Sequence, residues 1–383
     1  MRDFLAGVFR RIKDCLDGQD SRLDHRPIES SFTRLGAGLF FITWVSALSL
    51  PFALWPYFLF LPITFAKGMS RLAAAWCLVM IWAWLENPAL SGRGFTLLKV
   101  LLPVLIGSSS GRFIQKRPAR FQAMFLSFII PFCILAMVQW FERMPAPPVW
   151  LSAQERYLLP TRVTAVYQNP NLFAEVLIFL LPIGWVWILG TQQRLFKSIG
   201  WVWTALASSA LALTFSYGAW VAALFSLVVL TAICSRRSRR VMMLLAVGIG
   251  VAVLLLIGSV HGSTADYRWS LWREAWRIFL QHPWGVGPGL VQELLAVSPT
   301  PANHIHSLFL QTMAETGLPG LLILCLVLRT IILAILERKD LHSAGIVAAL
   351  SGLVFYGTVD YIWATPLVTG LFWMGEGMLK DTA

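Results

Sequence analysis

Apolar runs of roughly 17–25 residues recur along this chain from Leu35 almost to its end, each long enough to cross a ~30 Å hydrocarbon core at ~1.5 Å per residue. Inside a bilayer every backbone polar group must find its partner within the protein, so only helices and closed barrels can span. A barrel would show strands of about 10 residues with alternating polarity. Val241–Val260 is instead apolar on both faces. Composition agrees: 57% of the residues are hydrophobic and 13% charged, with mean hydropathy +0.68, against roughly 25% charged in soluble proteins. The expected fold class is all-α, a polytopic integral membrane protein with about twelve transmembrane helices.

The expected spans are 35–49, 51–66, 72–86, 95–108, 121–140, 172–190, 198–215, 218–234, 241–260, 317–335, 344–361 and 366–379. Orientation follows from the basic residues of alternate short loops. Lys67 and Arg71, Arg112 to Arg120, Arg194 and Lys197, Arg236 to Arg240, Arg338 and Lys339, and Lys380 fall on one side together with the N-terminal tail. That side is read as cytoplasmic, with both termini there. Much of the +12 net charge is then a topology signal, and nucleic acid is not an expected partner.

Residues 1–34 are polar and basic, without the early apolar stretch of a cleavable leader, and form an expected cytoplasmic tail. Phe4, Leu5, Val8, Phe9 and Ile12 share a helical face among Arg10, Arg11 and Lys13, which suits a helix on anionic lipid, or equally a solvated tail. Residues 35–383 form the expected membrane domain. The five cysteines make no CxxC pair, so neither a disulfide framework nor a zinc site is indicated.

Two segments on the external side, about 141–171 and 261–316, are longer than a helix connection needs, and such loops usually carry function. The first ends Arg162-Val-Thr-Ala-Val-Tyr-Gln-Asn169-Pro170-Asn171. Asn-Pro-Asn before an apolar run has a capping explanation. Arg162 is less easily explained as structure, since an arginine at the membrane face can grip phosphate oxygens with a bidentate fork. Glu175, one turn into the next span, is either a functional carboxylate or half of a structural ion pair. Asp360 and Glu376, near the last two spans, raise the same question.

The second segment contains Asp266-Tyr-Arg268-Trp269-Ser-Leu-Trp272-Arg273-Glu-Ala-Trp276-Arg277, an amphipathic helix whose three tryptophans at i, i+3 and i+7 should share a face at the headgroups. Positive charge is otherwise scarce on this side, so Arg268 and Arg273 call for an anionic headgroup or a diphosphate. His282-Pro-Trp-Gly285-Val-Gly287-Pro-Gly289 lacks the flanking strand and the GK[ST] of a phosphate loop and reads as a flexible turn. Asn303-His304-Ile-His306-Ser then leads toward Glu315-Thr-Gly317. Histidines at i and i+2 point apart on a helix, no acidic cluster accompanies them, and HExxH and DxD are missing from the sequence, so no metal is expected. A histidine near arginines suits general-base chemistry.

Taken together, Arg162…Asn169-Pro170-Asn171, Thr214-Phe-Ser216-Tyr217-Gly218-Ala-Trp220, Arg268…Trp272, His282-Pro-Trp-Gly285-Val-Gly287 and His306-Ser-Leu-Phe-Leu-Gln…Glu315-Thr-Gly317 resemble the O-antigen ligase/polymerase superfamily in order, spacing and membrane position. The resemblance implies a fold like those of other membrane glycosyltransferases, in the bacterial inner membrane with the site outside. It also implies a polyprenyl-diphosphate-linked oligosaccharide donor, a lipid or glycan acceptor, and metal-independent, inverting transfer without a cofactor. His306 matches the essential histidine of the H-[NS]-x-x-L pattern and would be the general base. Arg162 and one of Arg268 and Arg273, with Arg268 favoured, match the essential arginines. Asn169, Asn171, Tyr217, His304, Glu175 and Glu315 would contact substrate. Tyr217 stands where many members carry arginine, and it donates a hydrogen bond without charge. Ligase and polymerase share these motifs. A solute transporter is the alternative of another class, and it should place paired titratable groups at the bilayer midplane.

Overall fold

A computed structural model of the protein describes residues 31–49, 53–62, 64, 68–86, 94–115, 118–145, 161–235, 248, 263–298, 301–337 and 340–379. Among these residues the regular structure is entirely helical. In chain order the helices are α1 (Ser31–Ser49), α2 (Trp55–Phe58), α3 (Arg71–Leu85), α4 (Gly94–Ile114), α5 (Pro118–Phe141), α6 (Pro170–Gly190), α7 (Arg194–Leu213), α8 (Tyr217–Cys234), α9 (Ser263–Gln281), α10 (Leu290–Ala296), α11 (Leu308–Leu336), α12 (Leu341–Tyr356) and α13 (Pro366–Met378). Among the described residues, five stretches are long and apolar enough to cross a membrane: Thr96–Ile114, Gln122–Phe141, Pro170–Gly190, Tyr217–Cys234 and Leu308–Leu336.

Helices stand where most of the apolar runs anticipate them, with informative shifts at the ends. The eleventh expected span, 344–361, stops at Tyr356. Asp360 therefore sits in a turn, where its Oδ1 accepts from the Tyr361 backbone N–H at 2.8 Å. Such local side-chain acceptors compete with helix continuation. α11 contains a break at Gly317 (φ 61°, ψ −152°), so the expected span from 317 begins where a shorter helical segment ends. The expected tail 1–34 is described only from Ser31, and the span 241–260, apart from residue 248, lies outside the described residues, as does part of 51–66.

The chain forms two compact units. The first comprises Met1–Pro51, Lys116–Ala246 and Ala334–Gly352. Its central element is α6, buried along nearly its whole length. α7 presents Gly200, Trp203, Ala207, Ala210 and Leu211 inward at helical spacing, and the Trp203 ring covers Gly184 of α6, where a Cβ would overlap it. The indole N–H is satisfied by the Leu126 carbonyl at 2.7 Å.

The second unit comprises Phe52–Gln115, Val247–Leu333 and Leu353–Ala383. Here α4 and α13 touch through small residues: a Cβ on Gly107 would overlap the Gly370 carbonyl, on Gly111 that of Met374, and on Gly377 that of Ser108. Lipid offers no hydrophobic drive between helices, so close approach of this kind supplies packing. Glu376 accepts from the Ser70 hydroxyl at 2.6 Å, and Ser70 caps α3, which gives that carboxylate a structural use. The unit has a further core around α9, in which Leu271, Ala275 and Ile278 meet Val286, Val291, Leu295, Ile305 and Ala314.

Candidate active site

The residues singled out in sequence gather into two polar clusters, one in each unit. In the first unit, Gln139 of α5 grips the loop after residue 161. Its Oε1 accepts from the backbone of Thr164 and Ala165 at 3.0 and 2.9 Å, and its Nε2 donates to the Ala165 carbonyl at 3.1 Å. This positions Arg162, which is 9% exposed. Arg162 donates through Nε to the Thr214 carbonyl at 2.8 Å and through Nη2 to Asn171 Oδ1 at 3.3 Å. Asn169 caps α6, accepting from the N–H groups of Asn171 and Leu172 at 2.8 and 3.4 Å, with Pro170 at the first helical position. The capping explanation thus holds for Asn169, while Asn171 turns to the arginine. Glu175 is buried one turn along the same helix. Tyr217 opens α8 and is 60% exposed, edge-on to Trp220 with centroids 5.0 Å apart.

In the second unit, α9 separates its arginines. Arg268 reaches inward and donates to the Val359 carbonyl at 2.8 Å, whereas Arg273 is exposed and Arg277 pairs with Glu274 at 3.0 Å. The three tryptophans do not share one face: Trp269 and Trp276 are exposed, but Trp272 packs against the core around α9. The glycine-rich turn is fixed rather than flexible. Val286 and Gly287 donate to the Ala314 and Glu315 carbonyls at 3.0 and 2.9 Å, and Leu318 donates back to Pro283 at 2.9 Å. Gly285 (φ 91°) and Gly317 (φ 61°) interlock, since a Cβ on either would overlap the other's strand of backbone. Glu315 ties the same region together, accepting from Gly289 N–H at 3.2 Å, Gln311 Nε2 at 2.8 Å and Tyr361 OH at 3.4 Å.

On this scaffold sit His304, His306 and Asp360. His306 adopts a left-handed φ of 52°, not a helical one, so the two histidines do not diverge: their ring centroids are 4.2 Å apart. Asp360 Oδ1 lies 3.1 Å from His306 Nδ1 and 3.5 Å from His304 Nε2. Its Oδ2 accepts from Tyr356 OH at 3.2 Å. The backbone of Leu308 is pinned to the Gly357 carbonyl at 2.7 Å, which brings the two distant segments together. The three ligand-type atoms fall within 4.8 Å of one another. An acidic partner for the histidines therefore exists, contrary to the sequence expectation, supplied from the turn after α12.

Burial pushes the His306 imidazole below its ordinary 6.5, helped by the nearby His304 and Arg268 and opposed by the Asp360 hydrogen bond and charge. Burial alone would raise the Asp360 carboxyl, yet hydrogen bonds from His304 and His306 hold it well below the usual carboxylate range. An ionised carboxylate only accepts, so His306 Nδ1 carries the ring proton and Nε2 keeps its lone pair. Of the five described non-glycine residues with positive φ, Ala165, Gln168, Phe215 and His306 lie in these two clusters, and such backbone concentrates at functional sites.

The described helices and their long apolar stretches define a multi-pass membrane protein. Residues 202–325 match the family model described as O-Antigen ligase, so this stretch of the chain is similar to that family. The matched stretch contains Tyr217, Arg268, Arg273, His304, His306 and Glu315, while Arg162 and Asp360 lie outside it. No individual curated protein matches the chain.

Proposed function

We propose that this protein transfers a glycan from an undecaprenyl-diphosphate carrier to a hydroxyl of a lipid or glycan acceptor on the extracytoplasmic face of the bacterial inner membrane. About twelve helices would span the bilayer over residues 35–383, with residues 1–34 and both termini cytoplasmic. The segments 141–171 and 261–316 would be periplasmic. The observation that carries the reading is the His306–Asp360 contact at 3.1 Å, because it fixes the tautomer that a general base requires.

In the transfer, the acceptor oxygen attacks the anomeric carbon while its proton passes to His306 Nε2. The bond from that carbon to the diphosphate breaks, and the electron pair stays on the departing phosphate oxygen. Arg268, steered by its bond to the Val359 carbonyl, stabilises that charge. Arg162 serves the diphosphate in the same way, with Asn171 orienting its fork. A single displacement inverts the anomeric configuration, and no metal takes part in turnover. Asn169, Tyr217, His304, Glu175 and Glu315 would shape substrate binding, Glu315 through the turn that it anchors. Polyprenyl chains stay in lipid throughout.

The test is turnover by purified protein in lipid, given a polyprenyl-diphosphate oligosaccharide, a chelator and a panel of acceptors. Lipid diphosphate release coupled to an inverted glycan on the acceptor, undiminished by chelator, is the expected result. A product one glycan long identifies a ligase, and a ladder of repeats identifies a polymerase. Chelator-sensitive turnover would overturn the arginine-only account, and solute flux without transfer would favour a transporter.

A further inference from the structure

We propose that His304, His306 and Asp360 form a binding site for one divalent transition metal of the zinc class, and that metal bound there switches the base off. The donor set is two imidazole nitrogens and one carboxylate oxygen, a combination suited to zinc, nickel or cobalt rather than magnesium or calcium. Its spacing fits at the shared carboxylate. Donors ~2.0–2.1 Å from a tetrahedral zinc ion stand about 3.3 Å from one another, and Asp360 Oδ1 is 3.1 Å from His306 Nδ1 and 3.5 Å from His304 Nε2. All three ligand atoms lie within 4.8 Å of one another, so an ion needs a rotation of one imidazole to draw the two nitrogens together. Preorganisation is also visible. Asp360 is fixed by Tyr356 OH and by the Tyr361 backbone, and His306 by its position beside Leu308, whose N–H is bonded to Gly357. Both rings keep some exposure, 18% and 27% of their side chains, which leaves a path for entry.

The chemistry makes this site inhibitory. A metal on Nδ1 of a neutral imidazole leaves the ring's one proton on Nε2, so the atom that should accept the acceptor's proton no longer has a lone pair. This consequence for turnover rests on His306 being the base; the binding itself does not.

Binding is measured on the full-length protein in lipid nanodiscs after chelator treatment, with Zn2+ followed by calorimetry and Co2+ by its visible absorption. Expected is saturable binding of one ion per chain, with a tetrahedral-type cobalt spectrum. Affinity should fall in both His304→Gln and Asp360→Asn by more than the about 10–100-fold that loss of an outer-shell partner costs. Thermal unfolding of each variant without metal separates lost binding from lost fold. No saturable binding, or undiminished affinity in the variant that remains folded, would overturn the site. Added Zn2+ should also suppress turnover reversibly; binding without suppression would refute the switch and the base assignment while leaving the metal site standing.

Discussion

The Arg162 cluster and the His306 cluster solve opposite problems. The first holds a permanent cation, gripped by a backbone carbonyl and an amide 52 and 9 residues away in sequence. It has nothing to tune, because a guanidinium stays charged. The second holds a titratable group, and its partner Asp360 is 54 residues away on the turn after α12. Here geometry decides which nitrogen is basic and at what pH. One cluster should therefore act as a fixed field and the other as a proton acceptor.

Replacing His306 by alanine removes the proton acceptor and should lower kcat by about 10²–10⁴-fold, read from lipid diphosphate release under saturating donor. Equal turnover in that variant would end the distinction between the clusters. Arg268→Ala and Arg162→Ala should each cost about 10²–10³-fold. The Arg162→Ala loss should be uniform across pH, whereas Arg268→Ala should also move the acid limb to higher pH, because the Arg268 charge helps hold the His306 imidazole down. Arg273→Ala should cost least, less than about tenfold, as its side chain is solvent-exposed on α9. A loss as large as that of Arg268→Ala would reverse the assignment between the two.

A structural prediction sharpens the same contrast. Gly317→Ala forces a Cβ into the Pro283 carbonyl at a φ of 61°, and should destabilise the α9 core of the second unit by about 2–4 kcal/mol. Hydrogen exchange should report this as faster opening around Val286 and Gly287, with the Arg162 loop unchanged.

How legible each cluster was follows from the same difference. Arg162 and Asn169-Pro170-Asn171 stand within ten residues, and a cap, a proline at the first helical position and a misplaced cation are all readable locally. The five long apolar helices among the described residues were readable because hydropathy is a local average. Asp360 was noticed as a carboxylate near the membrane but not as the partner of His306, since the pairing exists only through the Leu308–Gly357 contact. The histidines looked divergent because a helix was assumed, and the positive φ of His306 removes that premise. The turn through Gly285 and Gly287 looked flexible for a similar reason: the backbone that it docks on, at Ala314 and Glu315, becomes reachable only when α11 breaks at Gly317. Trp272 followed the same rule in reverse, with a core on its side of α9 that periodicity did not show.

The central claim is that a neutral His306, oriented by Asp360, accepts the acceptor's proton. Its most direct test is the pH dependence of kcat/KM for wild type and Asp360→Asn. The wild-type rate should fall on the acid side with a midpoint below the ordinary 6.5, since burial disfavours the protonated ring. Asp360 raises that value, so Asp360→Asn should move the limb to still lower pH while lowering the plateau. An acid limb above 6.5, or one that stays in place when Asp360 is changed, would contradict the account.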